Sequence, residues 1–171
     1  VIAVSDEVKC DIASNYRVKK DKIAVLYNGV DQQRFHPSRR AKVGATLRAR
    51  WKVPNQAQLV LFVGSGFSRK GLDRLIAIWH RPPLSQAYLM VAGDDGRMGH
   101  YQNWAKSVAG ERILFVGRQD DIENYYAMAD LVALPALQEA FGNVVLESLA
   151  SGVPVVVSRE VGAGALLTGC L

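Results

Sequence analysis

The feature that most constrains the fold is the alternation of short apolar runs and longer helical segments between residues 59 and 157. The run at residues 59 to 63 (LVLFV) is apolar at every position, as expected for a strand buried on both faces of a parallel sheet. Four further strands are predicted, at residues 87 to 92, 113 to 116, 131 to 134 and 153 to 157, and helical segments separate them. This order predicts an α/β fold with a doubly wound, Rossmann-like parallel sheet.

Ahead of this sheet, residues 1 to 30 are predicted to form a smaller strand-helix-strand unit, with Ser5 as the helix cap and a turn at Asn28 and Gly29. So small a unit cannot bury its apolar faces alone. We therefore expect it to form the edge of something larger, and we expect its exposed strands to pair between copies. Residues 31 to 58 would form a hinge and a connecting helix, and residues 59 to 171 the Rossmann-like domain.

The composition indicates one globular domain. The chain has 171 residues, of which 49% are hydrophobic and 22% charged, and no apolar run approaches the ~20 residues that span a bilayer. Cys10 and Cys170 lie at opposite ends without metal-ligand spacing, and no basic leader opens the sequence, so we expect a reduced, cytoplasmic setting. The net charge of +5 comes from local clusters of Lys and Arg, most of which we interpret as solvated surface.

Glu139 and Glu147 flank a loop that leads into a helix, because Pro135 ends the preceding strand and Gly142 stands at the helix start. The two carboxylates would be about 12 Å apart on a regular helix, too far to share a proton. They are better suited to binding two sets of sugar hydroxyls, with the N–H groups of residues 141 to 143 offering partial positive charge between them. Two solvated acids near a helix start are an equally good interpretation. The apolar stripe of this helix is predicted to consist of Val144, Val145 and Leu149.

A glycine-rich turn follows the first strand of the sheet. Gly64 and Gly66 would let a ligand phosphate reach the backbone, and Arg69 and Lys70 follow at the mouth of the next helix. Ligands bind at the carboxyl ends of strands in such folds, which favours a phosphate site, although many turns of this kind hold no ligand. The spacing matches neither a dinucleotide fingerprint nor a Walker loop.

Two other strand ends carry weaker signals. Gly117 and Arg118 would line a base pocket with main-chain groups, or would simply form a turn with a solvated Arg. Asp94 and Asp95 have the chemistry to hold Mg²⁺ on a nucleotide, but glycines on both sides favour an ordinary turn. No metal site is predicted.

Four motifs, in order along the chain, resemble those of glycosyltransferase family 4. They are NGVD at residues 28 to 31, FVG with RKG at 62 to 64 and 69 to 71, FVGR at 115 to 118, and the segment from LP at 134 and 135 through EAFG at 139 to 142 to ESLASGVPVV at 147 to 156. Together they cover nearly the whole chain. The resemblance implies the carboxyl-terminal half of a GT-B fold and transfer of a sugar from a nucleotide donor with retention at the anomeric carbon. It also implies that residues 1 to 30 are a remnant of the edge of the amino-terminal domain and that residues 59 to 171 are a carboxyl-terminally truncated donor-nucleotide-binding domain.

The resemblance also implies roles for individual residues. Arg69 and Lys70 would hold the donor diphosphate and neutralise its developing charge without a metal, Glu147 would bind the ribose, Glu139 would contact the hexose, and the base would lie near Arg118. Arg69, Lys70 and Glu139 are thus the implied catalytic groups, and the retaining nucleophile is unassigned. The implied donor-binding set is Gly64, Gly66, Arg69, Lys70, Gly117, Arg118, Glu139, Ala140, Phe141, Gly142, Asn143, Val144 and Glu147.

Within the family, the motifs around Arg69 and Glu139 are most similar to those of the lipopolysaccharide core glucosyltransferases that use UDP-glucose. The expected donor is therefore UDP-glucose, a substrate rather than a cofactor, and the expected acceptor is a glycan or lipopolysaccharide core bound by the missing domain. Peripheral contact with the inner face of the membrane is expected, and no nucleic-acid partner. Ala165 stands where many members carry an acid, and the chain alone is expected to bind donor without transfer.

Two other functions stay open at this point. A non-catalytic module would use the basic clusters to bind anionic lipid or nucleic acid, with a steep dependence on salt. A sugar-nucleotide epimerase or phosphorylase relative would share the GT-B fold but have a different acceptor half.

Overall fold

The computed structural model describes residues 1 to 167 and confirms the α/β prediction. The strands are β1 (Ile2–Ala3), β2 (Ala24–Val25), β3 (Leu59–Val63), β4 (Tyr88–Ala92), β5 (Ile113–Gly117), β6 (Leu131–Leu134) and β7 (Val155–Val157). The last five form one parallel sheet in the order β5-β4-β3-β6-β7. The chain runs outward from β3 to β5 and then returns past β3 to β6, so the topological switch point lies between β3 and β6.

Helices cover both faces of this sheet. The α-helices of residues 1 to 167 are α1 (Asp6–Asn15), α2 (Ala45–Arg50), α3 (Leu72–Ile78), α4 (Met98–Ala109), α5 (Ile122–Met128) and α6 (Asn143–Ala150), of which α1 packs against β1 and β2 instead. In β3, Leu59 and Leu61 join the core beneath α5 and α6, whereas Val60 and Phe62 join the core beneath α3 and α4. Burial on both sides explains why this run is apolar at every position. No helix within the described residues is long and apolar enough to cross a lipid bilayer.

Residues 1 to 30 adopt the predicted strand-helix-strand arrangement, with β1 and β2 paired in parallel. The Oγ atom of Ser5 accepts a hydrogen bond from the N–H of Val8 at 3.2 Å, which confirms the predicted cap of α1. Ile2 remains mostly exposed on this small sheet. Of the two cysteines, Cys10 is exposed on α1 and Cys170 lies outside the described residues.

The prediction of a turn at Asn28 and Gly29 is wrong, because the backbone there is irregular and forms no turn. The Asn28 side chain instead donates a hydrogen bond to Oδ1 of Asn143 at 2.7 Å. The neighbouring Tyr27 ring stacks on Phe141, with 6.0 Å between ring centroids. These long-range contacts hold the segment against the start of α6 and override its local preference for a turn.

One part of the basic surface is a buried structural network rather than solvated side chains. Arg48 is only 6% exposed, and its guanidinium donates to Oδ2 of Asp130 at 2.7 Å and to the carbonyl of Met128 at 2.8 Å. Asp130 also accepts from Arg40 at 2.5 Å and from the N–H of Leu59 at 2.9 Å. Burial opposes ionisation of Asp130, but these donors outweigh it and hold the pKa of its carboxyl below the ordinary value. The network ties α2 to the start of β3 and β6.

The apolar stripe predicted for α6 is only partly right. Val144 and Val145 are buried, but Leu149 is 46% exposed beside the edge strand β7. Ser148 occupies the buried face instead, where its hydroxyl donates to the carbonyl of Val153 at 2.8 Å. A small polar residue can replace an apolar one there because this hydrogen bond satisfies it.

Candidate functional site

Three adjacent strands carry glycines where they reach the carboxyl edge of the sheet. Gly64 and Gly93 follow β3 and β4, and Gly117 ends β5. The N–H of Gly64 donates to the carbonyl of Ala92 at 2.9 Å, and the N–H of Gly93 donates to the carbonyl of Gly117 at 2.8 Å. A Cβ atom on Gly93 would lie 2.0 Å from the oxygen of Gly64, so no side chain fits there. The sheet therefore ends in bare backbone that a ligand can approach closely.

A cavity of about 280 Å³ opens over this edge. Of the predicted donor-binding residues, it is lined by Gly64, Arg118, Val144 and Glu147. Ser65 and Gln119 also line it, although neither residue was predicted from the sequence. Gln119 is held in place because its side-chain oxygen accepts a hydrogen bond from the Tyr125 hydroxyl at 2.8 Å.

Glu147 lies on α6, where a buried phenol contacts its carboxylate. The hydroxyl of Tyr126, on α5, donates a hydrogen bond to Oε2 of Glu147 at 2.7 Å. Burial and the adjacent carboxylate both raise the pKa of Tyr126 well above its ordinary value. This contact was not predicted from the sequence. A tyrosine on the buried face of a helix needs a partner for its hydroxyl, and that need is the signal that could have indicated the contact.

Lys70 lies at the other end of the same crevice. A Cβ atom on Gly64 would lie 2.3 Å from Cδ of Lys70, so the lysine stem passes directly over this glycine. The Nζ atom of Lys70 is 3.0 Å from Oε2 of Glu139, and Arg69 is 3.2 Å from the same oxygen. Gly64 lines the cavity that contains Glu147, so Lys70 lies next to that cavity, while Arg69 and Glu139 line a second cavity beside it. This crevice lies at the switch point between β3 and β6.

Backbone contacts join the loop after β3 to the loop after β6. The N–H of Leu137 donates to the carbonyl of Arg69 at 2.8 Å, and the Arg69 guanidinium donates to the carbonyl of Gln138 at 2.8 Å. A Cβ atom on Gly71 would lie 2.0 Å from the carbonyl oxygen of Pro135, so the two loops are in direct contact. These contacts place Arg69 and Lys70 next to Glu139, 70 residues from Arg69 in the chain.

The loop that carries Glu139 is also held on its other side. The N–H of Glu139 donates to the carbonyl of Glu160 at 3.0 Å, and its own carbonyl accepts from Gly162 at 3.0 Å. Within residues 1 to 167, the N–H groups of Phe141, Gly142 and Asn143 donate to no protein oxygen. The start of α6 thus offers unpaired donors beside Glu139, and such donors favour an anionic or hydroxyl-rich ligand.

The other predicted residues lie around the same edge in different environments. Gly66 lies in the turn after β3 in open space, and Ala140 lines a second cavity of about 220 Å³ together with Arg69 and Glu139. The side chain of Phe141 is buried against Tyr27, so only its backbone can reach a ligand.

Asp95 has a structural role in the turn after β4. Its carboxylate accepts hydrogen bonds from the N–H groups of Arg97 and Phe67, each at 2.8 Å. The bond from Arg97 is the main cause that lowers the pKa of Asp95, with burial opposing it and the bond from Phe67 adding to it. The contact to Phe67 fixes the loop that leads to Arg69 and Lys70.

Residues 45 to 167 match the family model described as glycosyl transferases group 1. The lipopolysaccharide glucosyltransferase WaaG of Escherichia coli is 28% identical over 165 residues, which cover 95% of this chain and 44% of that protein. Homologues of this chain thus include an enzyme that acts in lipopolysaccharide synthesis.

The comparison with solved structures agrees with the family match. The crystal structure of WaaG, a glycosyltransferase involved in lipopolysaccharide biosynthesis, has a TM-score of 0.86 at 26% identity, over 98% of this chain and 46% of that one. Anabaena HepE in complex with UDP and glucose has a TM-score of 0.83 at 28% identity, over 97% of this chain and 46% of that one. This chain therefore spans less than half the length of these relatives, and its sheet is the carboxyl-terminal, Rossmann-like half of a GT-B fold.

Proposed function

The chain belongs to the glycosyl transferases group 1 family, and we propose that it is the donor-binding half of a retaining enzyme that transfers glucose from UDP-glucose. The glucosyltransferase name of one relative and the UDP and glucose bound by another support this choice of donor. A glycan or lipopolysaccharide core acceptor would be bound by a second domain that faces the carboxyl edge of the sheet. The name of the E. coli relative supports this acceptor class.

One observation carries the proposal: the Lys70 stem passes over Gly64, and Gly64 lines the cavity that contains Glu147. A nucleoside diphosphate sugar presents ribose hydroxyls and a dianionic diphosphate in sequence. The crevice presents a carboxylate and a cationic pair in the corresponding order.

The proposed ligand fills this crevice along its length. The base would lie beside the backbone of Arg118, and the ribose hydroxyls would donate to Glu147. The diphosphate would contact Lys70 and Arg69, whose present partner is the Glu139 carboxylate. As the diphosphate neutralises both cations, Glu139 becomes available to accept hydrogen bonds from the hexose.

The same groups would assist the departure of the leaving group. When the bond between the anomeric carbon and the diphosphate breaks, negative charge develops on the departing oxygen. Lys70 and Arg69 would stabilise that charge, assisted by the unpaired N–H groups at the start of α6. Preorganised cations and N–H donors of this kind contribute strongly to the rate enhancement of many enzymes, because they need not reorient as the charge forms.

Calorimetry with UDP and UDP-glucose tests the proposal. Lys70→Ala and Glu147→Ala should each weaken UDP binding at least tenfold, because each removes a contact with a charged group. Lys106→Ala and Glu111→Ala are the matched controls, since these two side chains are mostly exposed and 3.8 Å apart on the surface near the end of α4. UDP binding that is equally strong in all five proteins would reject the proposal.

The same titrations address the remaining alternatives. A basic interaction module would bind polyanions with a salt dependence spread over many Lys and Arg residues, and Glu147→Ala would leave that binding unchanged. The family match does not favour this alternative. A sugar-nucleotide epimerase or phosphorylase relative would differ in the acceptor half, so the full-length protein must be assayed to distinguish it.

A further inference from the structure

Glu147 is held by a second buried side chain, and this contact deepens the proposed function and rests on it. We infer that Tyr126 is a positioning residue whose hydroxyl fixes one oxygen of the Glu147 carboxylate, so that the other accepts the ribose hydroxyls of a nucleoside diphosphate. Tyr126 does not line the cavity and would not touch the ligand. Its effect on binding would pass entirely through Glu147.

The hydrogen bond between these residues has the geometry of a strong one. The Tyr126 hydroxyl lies 2.7 Å from Oε2 of Glu147, which is typical of a phenol that donates to a carboxylate. Among the described residues, Oε1 of Glu147 accepts no hydrogen bond. One oxygen is therefore committed to the protein, and the other is available to a ligand in the cavity.

Tyr126 is itself rigidly placed. Its side chain is 0% exposed, and its ring meets the ring of Phe35 edge-on, with 5.6 Å between centroids and an angle of 80°. Arg34, which precedes Phe35, donates to Glu123 at 2.8 Å and to the carbonyl of Asp120 at 2.7 Å. The segment predicted as a hinge thus packs against α5 at the position that fixes this phenol.

A carboxylate in this place benefits from such a partner. Glu147 has three rotatable side-chain bonds, and the cavity wall next to it includes the apolar side chains of Val144 and Ile122. Without a fixed donor, the carboxylate would distribute over several rotamers, and ligand binding would have to select one of them. Since burial and the Glu147 charge raise the pKa of Tyr126, the phenol keeps its proton at neutral pH and remains a donor.

The test compares UDP with 2′,3′-dideoxy-UDP, which lacks the hydroxyls that Glu147 would bind. Tyr126→Phe removes one oxygen atom and should weaken UDP binding about fivefold to tenfold. Its binding of dideoxy-UDP should stay within about twofold of wild type. Tyr101→Phe is the matched control, because Tyr101 is 3% exposed on α4 at the opposite face of the sheet. It should leave the affinity for both ligands within about twofold.

A double-mutant cycle separates positioning from a general structural effect. In a Glu147→Ala background, Tyr126→Phe should have no further effect on UDP binding, because the contact that transmits it is already lost. A second probe, 3-fluorotyrosine at position 126, keeps the phenol hydroxyl. Its ¹⁹F resonance should shift on addition of UDP in the protein that is otherwise wild type and stay unshifted in Glu147→Ala.

The outcomes distinguish this inference from the proposed function. If Glu147→Gln weakens UDP binding but Tyr126→Phe does not, the positioning role is wrong and the donor site stands. Equal losses for UDP and dideoxy-UDP in Tyr126→Phe would indicate a structural role and overturn the inference. If wild-type protein does not distinguish the two ligands and Glu147→Gln has no effect, the proposed ribose site itself is wrong.

Discussion

Replacement of Gly64 by Ala tests how the lysine is held over the crevice. The new Cβ atom would lie 2.3 Å from Cδ, 2.8 Å from Cε and 3.1 Å from Nζ of Lys70. The lysine is the flexible partner, so we expect its stem to move off the glycine. Its 3.0 Å contact with Glu139 would then be lost.

Two separate costs follow from this change. Gly64 has a φ of 147°, which side-chain-bearing residues rarely adopt, so the substitution should lower the free energy of unfolding by about 1–3 kcal/mol. Displacement of the ammonium removes a charge-assisted contact to the diphosphate, on the order of 1.5–3 kcal/mol, which corresponds to roughly a tenfold to hundredfold loss of UDP affinity. The binding effect should thus be as large as that of Lys70→Ala.

Urea unfolding and calorimetry on the same samples measure both costs. Gly110→Ala is the control for backbone strain, because Gly110 has a φ of 61° with open space around its Cβ position, at the end of α4. It should lose stability but bind UDP normally. In a Lys70→Ala background, Gly64→Ala should weaken UDP binding no further. If Gly64→Ala binds UDP as wild type does, the lysine is not held in the way the structure indicates.

Three further predictions concern stability. Arg48→Ala should lower the free energy of unfolding in urea by about 3–5 kcal/mol, because it leaves Asp130 without its buried partner. Arg50 is exposed, so the control Arg50→Ala should change this free energy by less than about 0.5 kcal/mol. The pKa of Asp130 is depressed in the folded state, so its contribution is complete above its unfolded value of ~3.9 and is lost as the pH falls through the folded value. In urea unfolding at a series of pH values, the free energy of unfolding of wild type should therefore exceed that of Asp130→Asn by less and less below about pH 4. A difference that grew there would contradict this assignment. Ser5→Ala should cost about 1 kcal/mol through loss of the α1 cap, measured by thermal unfolding, and an unchanged midpoint would show that the cap is dispensable.

The sheet could be predicted from sequence because its strands are buried on both faces and leave a continuous apolar signal. The ends of the elements were harder to place. The last strand was expected from Val153 but begins at Val155, because the N–H of Val153 donates to the carbonyl of Ser148 at 2.9 Å and belongs to the turn after α6. Such a bond depends on where the helix ends, and periodicity does not encode that.

The candidate site could be predicted as a set of residue types but not as a network. Glycines and cations at strand ends indicated a phosphate site, since the carboxyl ends of parallel strands meet at one edge. The partners that hold the site and the sheet lie far apart in sequence, with a separation of 21 residues from Tyr126 to Glu147 in the site and of 82 from Arg48 to Asp130 beneath the sheet's strands. A single sequence shows that a buried tyrosine or arginine needs a partner, but the packing of distant elements decides which residue supplies it.

A crystal structure of this chain with UDP tests the central claim most directly. We predict that the diphosphate contacts Lys70 and Arg69 and that both ribose hydroxyls lie within hydrogen-bonding distance of Glu147. UDP bound away from Gly64, or with its ribose outside the reach of Glu147, would contradict the proposed donor site.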